Sequence, residues 1–483
     1  MAHIPSQQSP QLSSAPWRWT AVEMAAAVRR REISAKELVQ SCLDRIEQVN
    51  PLVNALSGVS AADALEAAAQ ADQQMARGAD IGPLHGVPVP IKINTDQKGQ
   101  ATSSGIVAFK DMVATEDAPP VANLRKAGAI FVGRSNSPPF ALRWATTNDL
   151  HGRTLNPWDA GKTPGGSSGG AAAAIATGMV ALAHGNDIGG SIRQPAFCCG
   201  VVGLRPTVGR IPSWTAPPNG HQPLSVQNFM TQGPLARCVA DLRLALSVMS
   251  APDPRDCLQA PAPLSGPALN GLPRVGLLRD VGIAQPSPAV NAALDEAAAM
   301  LREAGHVVEE VELPLMEQAY RLWWLLAMGE FRNVMPLLEQ TGDDGIRRAA
   351  ACYYEVIQQW CGPHLTLEAY IDGYARRGTL IAQLQQFMER WPLILLPTCT
   401  EQAFEQEFDI RSVDTMRGIM ASNWSMMAIS LLGFPALAVP TGIADGLPVG
   451  VQIVGPRFRE DLVLDAAQEI ERRAGRFSPI TPL

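Results

Sequence analysis

From residue 85 to its end, this chain alternates between short β-branched segments and longer helical ones. The segments 85–94, 129–133 and 393–397 read as strands, and 287–304 reads as a helix. Such alternation predicts an α/β fold in which helices pack on a parallel or mixed sheet. The 483 residues would allow about three domains. Because we find no internal repeat and no convincing linker, we expect a single large domain.

The N-terminal part of the chain and residues 315–390 differ from the alternating pattern. Residues 1–16 are rich in Gln, Ser and Pro and lack the charged start and apolar stretch of a signal peptide. We therefore expect a flexible N-terminal tail, followed by one domain over 17–483. Two helices are predicted directly after the tail, because Thr20-Ala-Val-Glu and Ser34-Ala-Lys-Glu each match the capping box. Residues 315–390 are predicted to be a helical insert that is rich in aromatic side chains.

Charge and composition argue against several classes of function. With 39 basic and 46 acidic side chains the formal net charge is -7, whereas a nucleic-acid-binding surface is normally basic. The apolar runs are too short to span a bilayer. The eight cysteines and seven histidines show no zinc-binding spacing. We therefore expect a cytoplasmic protein with no metal, no cofactor, and neither nucleic acid nor membrane as a partner.

Lys92 lies within an apolar predicted strand, between Ile91 and Ile93. An exposed lysine has a pKa of about 10.4, so only about one in 2,500 is neutral at pH 7. Burial disfavours the charged form, and a pKa lowered to about 7–8 would make the amine a competent general base. Local sequence alone favours a plainer interpretation, namely a lysine that reaches solvent at the strand end or forms a buried ion pair.

Ser167 lies in the glycine-rich loop 165–170, directly before an alanine-rich segment. The loop matches Gly-x-Ser-x-Gly, the nucleophile elbow of α/β-hydrolases, but it follows a turn-forming stretch instead of a strand. A flexible linker and a phosphate-binding loop are two other interpretations. The region is neither charged nor repetitive, and the Gly-Lys-Ser/Thr of a phosphate-binding loop is absent. Glycine backbone of this kind can approach a substrate closely.

Ser191 follows two glycines, Gly189 and Gly190. Successive backbone N–H groups in such a stretch can converge on one point, which suits the oxyanion that forms when a carbonyl carbon is attacked. A simple tight turn is the alternative for any single serine beside glycines.

Taken together, these segments resemble the amidase signature family. Residues 163–170 resemble its glycine–serine loop, and residues 185–195 with 199–210 resemble its nucleophile segment. The separations 167 − 92 = 75 and 191 − 167 = 24 match those between the family's lysine, its cis-serine and its nucleophile. The resemblance extends from 37–55 to 446–452 and so covers nearly the whole chain.

The resemblance implies a central, mixed and twisted β-sheet covered by helices on both faces, with the catalytic core in about 85–240. It implies that Ser191 is the nucleophile and that neutral Lys92 is the base. Ser167, which would lie in a cis peptide, is expected to relay the proton of Ser191. The implied oxyanion hole consists of the backbone N–H groups of Ile188, Gly189, Gly190 and Ser191. Three further residues are expected to support the site: Ser168 through hydrogen bonds, and Asp187 and Arg193 as structural charges.

This chain departs from the family pattern at four positions. Ile93 stands where an Asp usually follows the lysine, and Asn186 stands where Thr or Ser is usual. Pro139 replaces a frequent Glu, and Arg205 replaces the more usual Lys. None of these changes removes a catalytic atom, but Ile93 makes the surroundings of the lysine more apolar.

The implied activity is hydrolysis of amide C–N bonds in a small molecule by a monomer or homodimer. We expect hydrophobic or aryl amides as substrates, with carbamates (urethanes) and esters as further candidates. The pocket is expected in the insert 315–390 and in the loop 214–229, although an aromatic stripe at helical spacing is more often core. The aromatic and sulfur-containing candidates in the insert are Trp323, Trp324, Met328, Phe331, Tyr353, Tyr354 and Trp360.

Two alternatives stay open from the sequence. One is a catalytically silent protein that serves as a binding or scaffold subunit; the presence of all three catalytic residue types argues against it. The other is the glutaminase subunit of a transamidosome. Residues 211–219 differ from the Tyr-Gly-Leu stretch of that group, which disfavours this second alternative.

Overall fold

A computed structural model describes residues 15–214, 221–362 and 366–482 of the chain. The helices are α1 (Ala21–Arg29), α2 (Ala35–Val53), α3 (Ala61–Ala76), α4 (Pro119–Lys126), α5 (Gly169–Ala176), α6 (Arg193–Cys199), α7 (Leu224–Phe229), α8 (Val239–Met249), α9 (Pro288–Glu303), α10 (Leu315–Phe331), α11 (Met335–Thr341), α12 (Asp344–Cys361), α13 (Leu367–Arg390), α14 (Val413–Ser422), α15 (Trp424–Leu432) and α16 (Glu460–Ala474). The strands are β1 (Leu56–Val59), β2 (Pro88–Lys92), β3 (Ile130–Ser135), β4 (Thr147–Asn148), β5 (Gly152–Arg153), β6 (Leu182–Asp187), β7 (Val202–Arg205), β8 (Thr231–Ala236), β9 (Val275–Leu277), β10 (Val308–Glu310), β11 (Leu393–Pro397), β12 (Ala436–Ala444) and β13 (Leu447–Val454).

The first two helices begin at the predicted capping boxes. The Thr20 hydroxyl accepts from the Glu23 N–H at 3.1 Å, and the Glu23 carboxylate accepts from the Thr20 N–H at 2.8 Å. Ser34 and Glu37 repeat this arrangement at the start of α2. These reciprocal bonds satisfy N–H groups that a first helical turn leaves unpaired. Of the predicted tail 1–16, only the last two residues lie within the described part of the chain.

The largest sheet has eight strands in the order β10-β9-β11-β13-β12-β7-β8-β6. Its pairings are parallel from β10 through β9 to β11 and antiparallel from β11 to β6. The hairpin between β12 and β13 turns at Asp445 and Gly446, both of which have positive φ (50° and 78°). Asp-Gly with two positive φ values is the preferred two-residue hairpin turn. The predicted mixed sheet is therefore confirmed.

Alternate residues of β11 belong to two different hydrophobic cores. Leu393 and Leu395 pack with residues of α8, α9 and α16, whereas Ile394 and Leu396 pack with residues of α10, α13, α14 and α15. Because successive side chains of a strand point to opposite faces, helices cover both faces of this sheet, as expected. The second of these cores contains most of the predicted aromatic insert.

A smaller sheet, in the order β1-β3-β2, lies beside the large one. Strand β2 packs against β6, which is the edge strand of the large sheet. This contact brings the carboxyl end of β2, and with it Lys92, next to the carboxyl end of β6. Strands β6, β7 and β8 were not predicted from the sequence. Of the helices in the described ranges, none is both long enough and apolar enough to cross a membrane.

Candidate active site

Three adjoining chain segments bring the predicted catalytic residues together. Lys92 ends β2, Ser167 lies two residues before α5, and Ser191 lies between β6 and α6. Lys92 Nζ is 2.7 Å from Ser167 Oγ, and the Ser168 N–H donates to the Ser191 carbonyl at 3.2 Å. The Gly166–Ser167 peptide is cis, as the resemblance implied. The partner of Ser167 is thus a lysine, unlike the histidine that serves the Gly-x-Ser-x-Gly elbow of an α/β-hydrolase.

Two glycines allow the loop before α5 and the turn before Ser191 to pack closely against their neighbours. Gly165 has φ +82°, and a Cβ there would lie 2.8 Å from Pro195 Cα. Gly190 has φ +114°, and a Cβ there would lie 2.7 Å from Met426 Sδ. Both the positive φ and the lack of space exclude a larger residue. The glycines recognised in the sequence therefore serve close approach of backbone, and not flexibility of a linker.

Lys92 is completely buried. Its Nζ contacts Ser167 Oγ and, at 2.8 Å, Asn186 Oδ1. No carboxylate among the described residues forms an ion pair with it. Burial lowers the pKa of Lys92 to about 7, although the Asp187 carboxylate acts to raise it. A substantial share of this amine is therefore neutral near pH 7 and can accept a proton.

The backbone around Ser191 offers several unpaired donors. The Ser191 side chain is 7% exposed. Within the described part of the chain, the N–H groups of Ile188, Gly189 and Ser191 form no hydrogen bond. The Gly190 N–H differs, because it donates to Asp187 Oδ1 at 2.8 Å. The oxyanion hole of Ile188, Gly189, Gly190 and Ser191 stays a prediction, and in this structure the Gly190 donor of that set is engaged in holding the turn.

Asp187 and Arg193 form a buried ion pair beside the turn that carries Ser191. Arg193 donates two hydrogen bonds to the Asp187 carboxylate, both 3.0 Å long. Arg205 donates to the Asp187 carbonyl at 2.5 Å and lies 3.4 Å from its carboxylate. Burial acts to raise the pKa of Asp187, but the two guanidinium groups outweigh it and hold that pKa below the usual range. Both predicted structural charges thus brace the turn, and Arg205 joins them.

Ser168 contacts the site through its backbone. Its backbone N–H bonds to Ser191, but its buried hydroxyl has no hydrogen-bond partner in the described residues. The hydroxyl faces β6, where a Cβ on Gly185 would lie 3.0 Å from Ser168 Oγ. The supporting hydrogen bond of Ser168 thus comes from its backbone, and the loop turns its hydroxyl toward the strand.

Trp323 of α10 covers the turn that precedes Ser191. Its indole Nε1 donates to the Ile188 carbonyl at 2.8 Å, and a Cβ on Gly189 would lie 2.9 Å from Trp323 Cζ2. The next residue, Trp324, belongs to the same hydrophobic core as Trp323 but packs against Trp144 and Tyr353. The helical pattern placed both tryptophans in the insert, and only the structure shows that Trp323 is the one that reaches the turn.

Comparison with known proteins matches most of the chain to one family. The family described as Amidase matches residues 37–464. An indoleacetamide hydrolase of Bradyrhizobium diazoefficiens is 42% identical, over 95% of this chain and 87% of that protein. A glutamyl-tRNA(Gln) amidotransferase subunit from Moorella thermoacetica is 34% identical, over 94% of this chain and 96% of that protein. The crystal structure of a bacterial aryl acylamidase of the amidase signature family matches with a TM-score of 0.81 at 27% identity, over 96% of this chain and 97% of that one. This chain belongs to the amidase family.

Proposed function

We propose that this protein hydrolyses the C–N bond of hydrophobic or aryl carboxamides through an acyl-enzyme on Ser191. The observation that carries the proposal is the contact between Lys92 Nζ and Ser167 Oγ, 2.7 Å long and buried without a paired carboxylate. A lysine in this setting is a base, because burial favours its neutral form. A structural lysine would be expected to pair with an acid or to reach solvent.

The proposed reaction begins with a proton relay. Ser167 gives its hydroxyl proton to neutral Lys92 and takes the proton of Ser191, whose Oγ attacks the carbonyl carbon. The protonated Lys92 then returns a proton through Ser167 to the leaving nitrogen, and the C–N bond breaks. Water attacks the acyl-enzyme by the same relay and releases the acid. The reaction as proposed needs substrate and water, with no cofactor, and a monomer or homodimer in the cytoplasm suffices.

The oxyanion of each tetrahedral intermediate would be stabilised by unpaired N–H groups of the turn. We assign this role to Ile188, Gly189 and Ser191. One such donor contributes about 10²- to 10³-fold to turnover in other serine hydrolases. The Gly190 N–H would act indirectly, since its bond to Asp187 holds the turn in shape.

The proposed substrate class rests on two kinds of support. One relative at 42% identity is named for indoleacetamide, and a structural neighbour is an aryl acylamidase. In this chain, Trp323 supplies an aromatic surface directly beside Gly189. We propose that the insert 315–390 forms one wall of the acyl pocket and that an arylacetamide such as indole-3-acetamide is a good substrate. Aryl carbamates and esters could form the same type of acyl-enzyme and are secondary candidates.

A substrate panel with purified protein tests this proposal. It comprises indole-3-acetamide, an anilide, an aliphatic amide, an aryl carbamate and glutamine, with product acid or released ammonia as the readout. We expect the aryl amides to be hydrolysed fastest and Ser191→Ala to abolish turnover. A fluorophosphonate probe should label the wild type at Ser191 in parallel. Absence of a Ser191 adduct would favour the silent scaffold, and activity restricted to glutamine with a partner protein would favour the transamidosome subunit.

A further inference from the structure

Lys92 has a second close neighbour whose role is not explained by the three-residue relay. Asn186, the penultimate residue of β6, places its Oδ1 2.8 Å from Lys92 Nζ. The other end of this carboxamide is also held, because its Nδ2 donates to Asn94 Oδ1 at 3.0 Å and lies 3.5 Å from Thr95 Oγ1. Asn94 and Thr95 follow Lys92 in sequence. The carboxamide thus bridges the amine and the chain directly after it.

The orientation of this carboxamide has a chemical consequence for the amine. A neutral lysine amine has two N–H donors and one lone pair, whereas an amide oxygen only accepts hydrogen bonds. When Oδ1 of Asn186 takes one N–H of Lys92, a lone pair of the nitrogen is left for the Ser167 hydroxyl. The bonds of Nδ2 to Asn94 and Thr95 oppose a flip that would present an NH₂ group to the amine.

We propose that Asn186 is a positioning residue that turns the lone pair of neutral Lys92 toward Ser167 and so prepares the base for its first proton transfer. This inference rests on the proposed function. In that step the Ser167 O–H bond breaks, the proton joins the lone pair of Lys92 Nζ, and Ser167 takes up the proton of Ser191. Asn186 contributes no proton and contacts neither serine hydroxyl through a hydrogen bond in the described structure.

Asn186 is one of the positions at which this chain departs from the family pattern, where Thr or Ser is usual. A hydroxyl rotates and can either donate or accept, so it does not by itself dictate which part of the amine faces the serine. Here the carboxamide oxygen can only accept. The nearby Ile93, in place of the usual Asp, is apolar and buried. The two side chains that bond to the Lys92 amine, those of Ser167 and Asn186, are both uncharged.

Charged and titratable groups near Lys92 are engaged elsewhere. Asp187 is paired with Arg193 and Arg205. Arg134 of β3 donates to the backbone carbonyls of Lys92 and Thr95, and Asp96 accepts from Thr102. Burial lowers the pKa of His184 to about 3, so its imidazole is neutral. Apart from Ser167 of the relay, Asn186 is therefore the hydrogen-bonded neighbour of the Lys92 amine, and it can be exchanged without disturbing an ion pair.

Two substitutions of similar size separate positioning from mere packing. Asn186→Asp places a carboxylate beside Nζ and should raise the pKa of Lys92, so the acid limb of the kcat/KM profile should move up by about one to three pH units.

Asn186→Leu removes the acceptor. We expect its plateau kcat to fall about 10- to 100-fold because the amine is misaligned, with the acid limb moved to lower pH and KM little changed. The substrate is indole-3-acetamide, and the pH dependence of fluorophosphonate labelling of Ser191 is a second readout.

The matched control is Asn123→Leu. Asn123 is also a buried asparagine, and its side chain donates two hydrogen bonds to the backbone of Met249 and Ala251, away from the site. It should change thermal stability without moving the acid limb. If both Asn186 variants keep the wild-type plateau and acid limb while Lys92→Met is inactive, the positioning role is wrong and the proposed function stands. If Lys92→Met retains turnover, the proposed base and this inference both fail.

Discussion

Two buried polar regions lie on opposite faces of the same strand end. The first, which we call the amine region, consists of Lys92, Ser167 and Asn186. The second, which we call the carboxylate region, consists of Asp187, Arg193 and Arg205. Asn186 and Asp187 are adjacent in β6, so their side chains point to opposite sides. Lys92, Ser167, Asp187, Arg193 and Arg205 are all completely buried. The two regions differ in whether the titratable group at the centre, Asp187 or Lys92, has an oppositely charged partner.

The comparison shows that two equally buried groups can differ in whether they keep their charge. In the carboxylate region two guanidinium groups face one carboxylate, and the pKa of Asp187 stays below its usual range. In the amine region the bonded partners are an amide and a hydroxyl, and the pKa of Lys92 falls to about 7. A buried charge is retained where it is paired and given up where its neighbours are neutral. The base of the proposed reaction must lose its charge and therefore needs neutral neighbours. The turn that carries Ser191 needs a carboxylate that keeps its charge and is therefore paired.

Removal of the lysine should break function and spare the fold. Lys92→Met keeps the length of the side chain but offers no proton acceptor, so we expect kcat/KM for an aryl amide to fall about 10²- to 10⁴-fold. The circular dichroism spectrum should stay that of the wild type, because no ion pair loses a member. Retention of kcat/KM within tenfold of the wild type would show that another group is the base.

Removal of the carboxylate should instead destabilise the fold. Asp187→Asn leaves Arg193 and Arg205 buried without a counter-charge, and breaking a buried pair in this way costs about 3–5 kcal/mol. Urea denaturation should show a free energy of unfolding lowered by that amount. The matched control is Asp465→Asn, which breaks the exposed pair with Arg243 and should cost at most about 1 kcal/mol. Equal costs for the two variants would contradict the contrast between the regions.

The sequence could predict the candidate catalytic residues but not their surroundings. Lys92, Ser167 and Ser191 each lie in a short segment that also has a plainer interpretation, and it was the resemblance to the amidase signature family that singled them out. Strand β6 was not predicted because Ala, Gly, Asn and Asp are all depleted in strands. Its extended conformation follows from its pairing with β8 and the burial of all its residues, which the local sequence does not reveal. The contact of Asn186 with Lys92 joins residues 94 positions apart. No local pattern carries such a contact.

The titration of Lys92 should be visible in stability as well as in rate. An unfolded lysine has a pKa of about 10.4, whereas burial lowers the pKa of folded Lys92 to about 7. Between these values the unfolded chain holds one proton more than the folded one. The free energy of unfolding should therefore rise with pH over this window by up to about 1.4 kcal/mol per pH unit. Below pH 7 the contribution should be flat.

The measurement is the difference between the wild type and Lys92→Met, since other groups that titrate in this window are common to both. Urea denaturation at several pH values between about 6 and 10 gives that difference, because this range covers most of the interval between the two pKa values. No change in the difference with pH would mean that Lys92 keeps an ordinary pKa, and the contrast with the carboxylate region would disappear.

The smallest predicted effect concerns the turn that joins the two regions. Ile188 and Gly189 follow Asn186 and Asp187, and this turn is held from one side by the Asp187 carboxylate and from the other by the indole of Trp323. Trp323→Phe keeps an aromatic ring over Gly189 but removes the donor to the Ile188 carbonyl. Loss of one such hydrogen bond is worth about 1 kcal/mol, so we expect kcat to fall about fivefold with KM little changed.

Trp324→Phe is the matched control, because Trp324 is adjacent in sequence but packs in the helical core, with its ring centroid 4.8 Å from that of Trp323. We expect it to lower the melting temperature and leave kcat unchanged. If Trp323→Phe also leaves kcat unchanged, the carboxylate region alone sets the shape of the turn. A fivefold loss confined to Trp323→Phe would mean that the insert helps to hold the oxyanion donors in place, so the same helix that supplies an aromatic surface would also act on the chemical step.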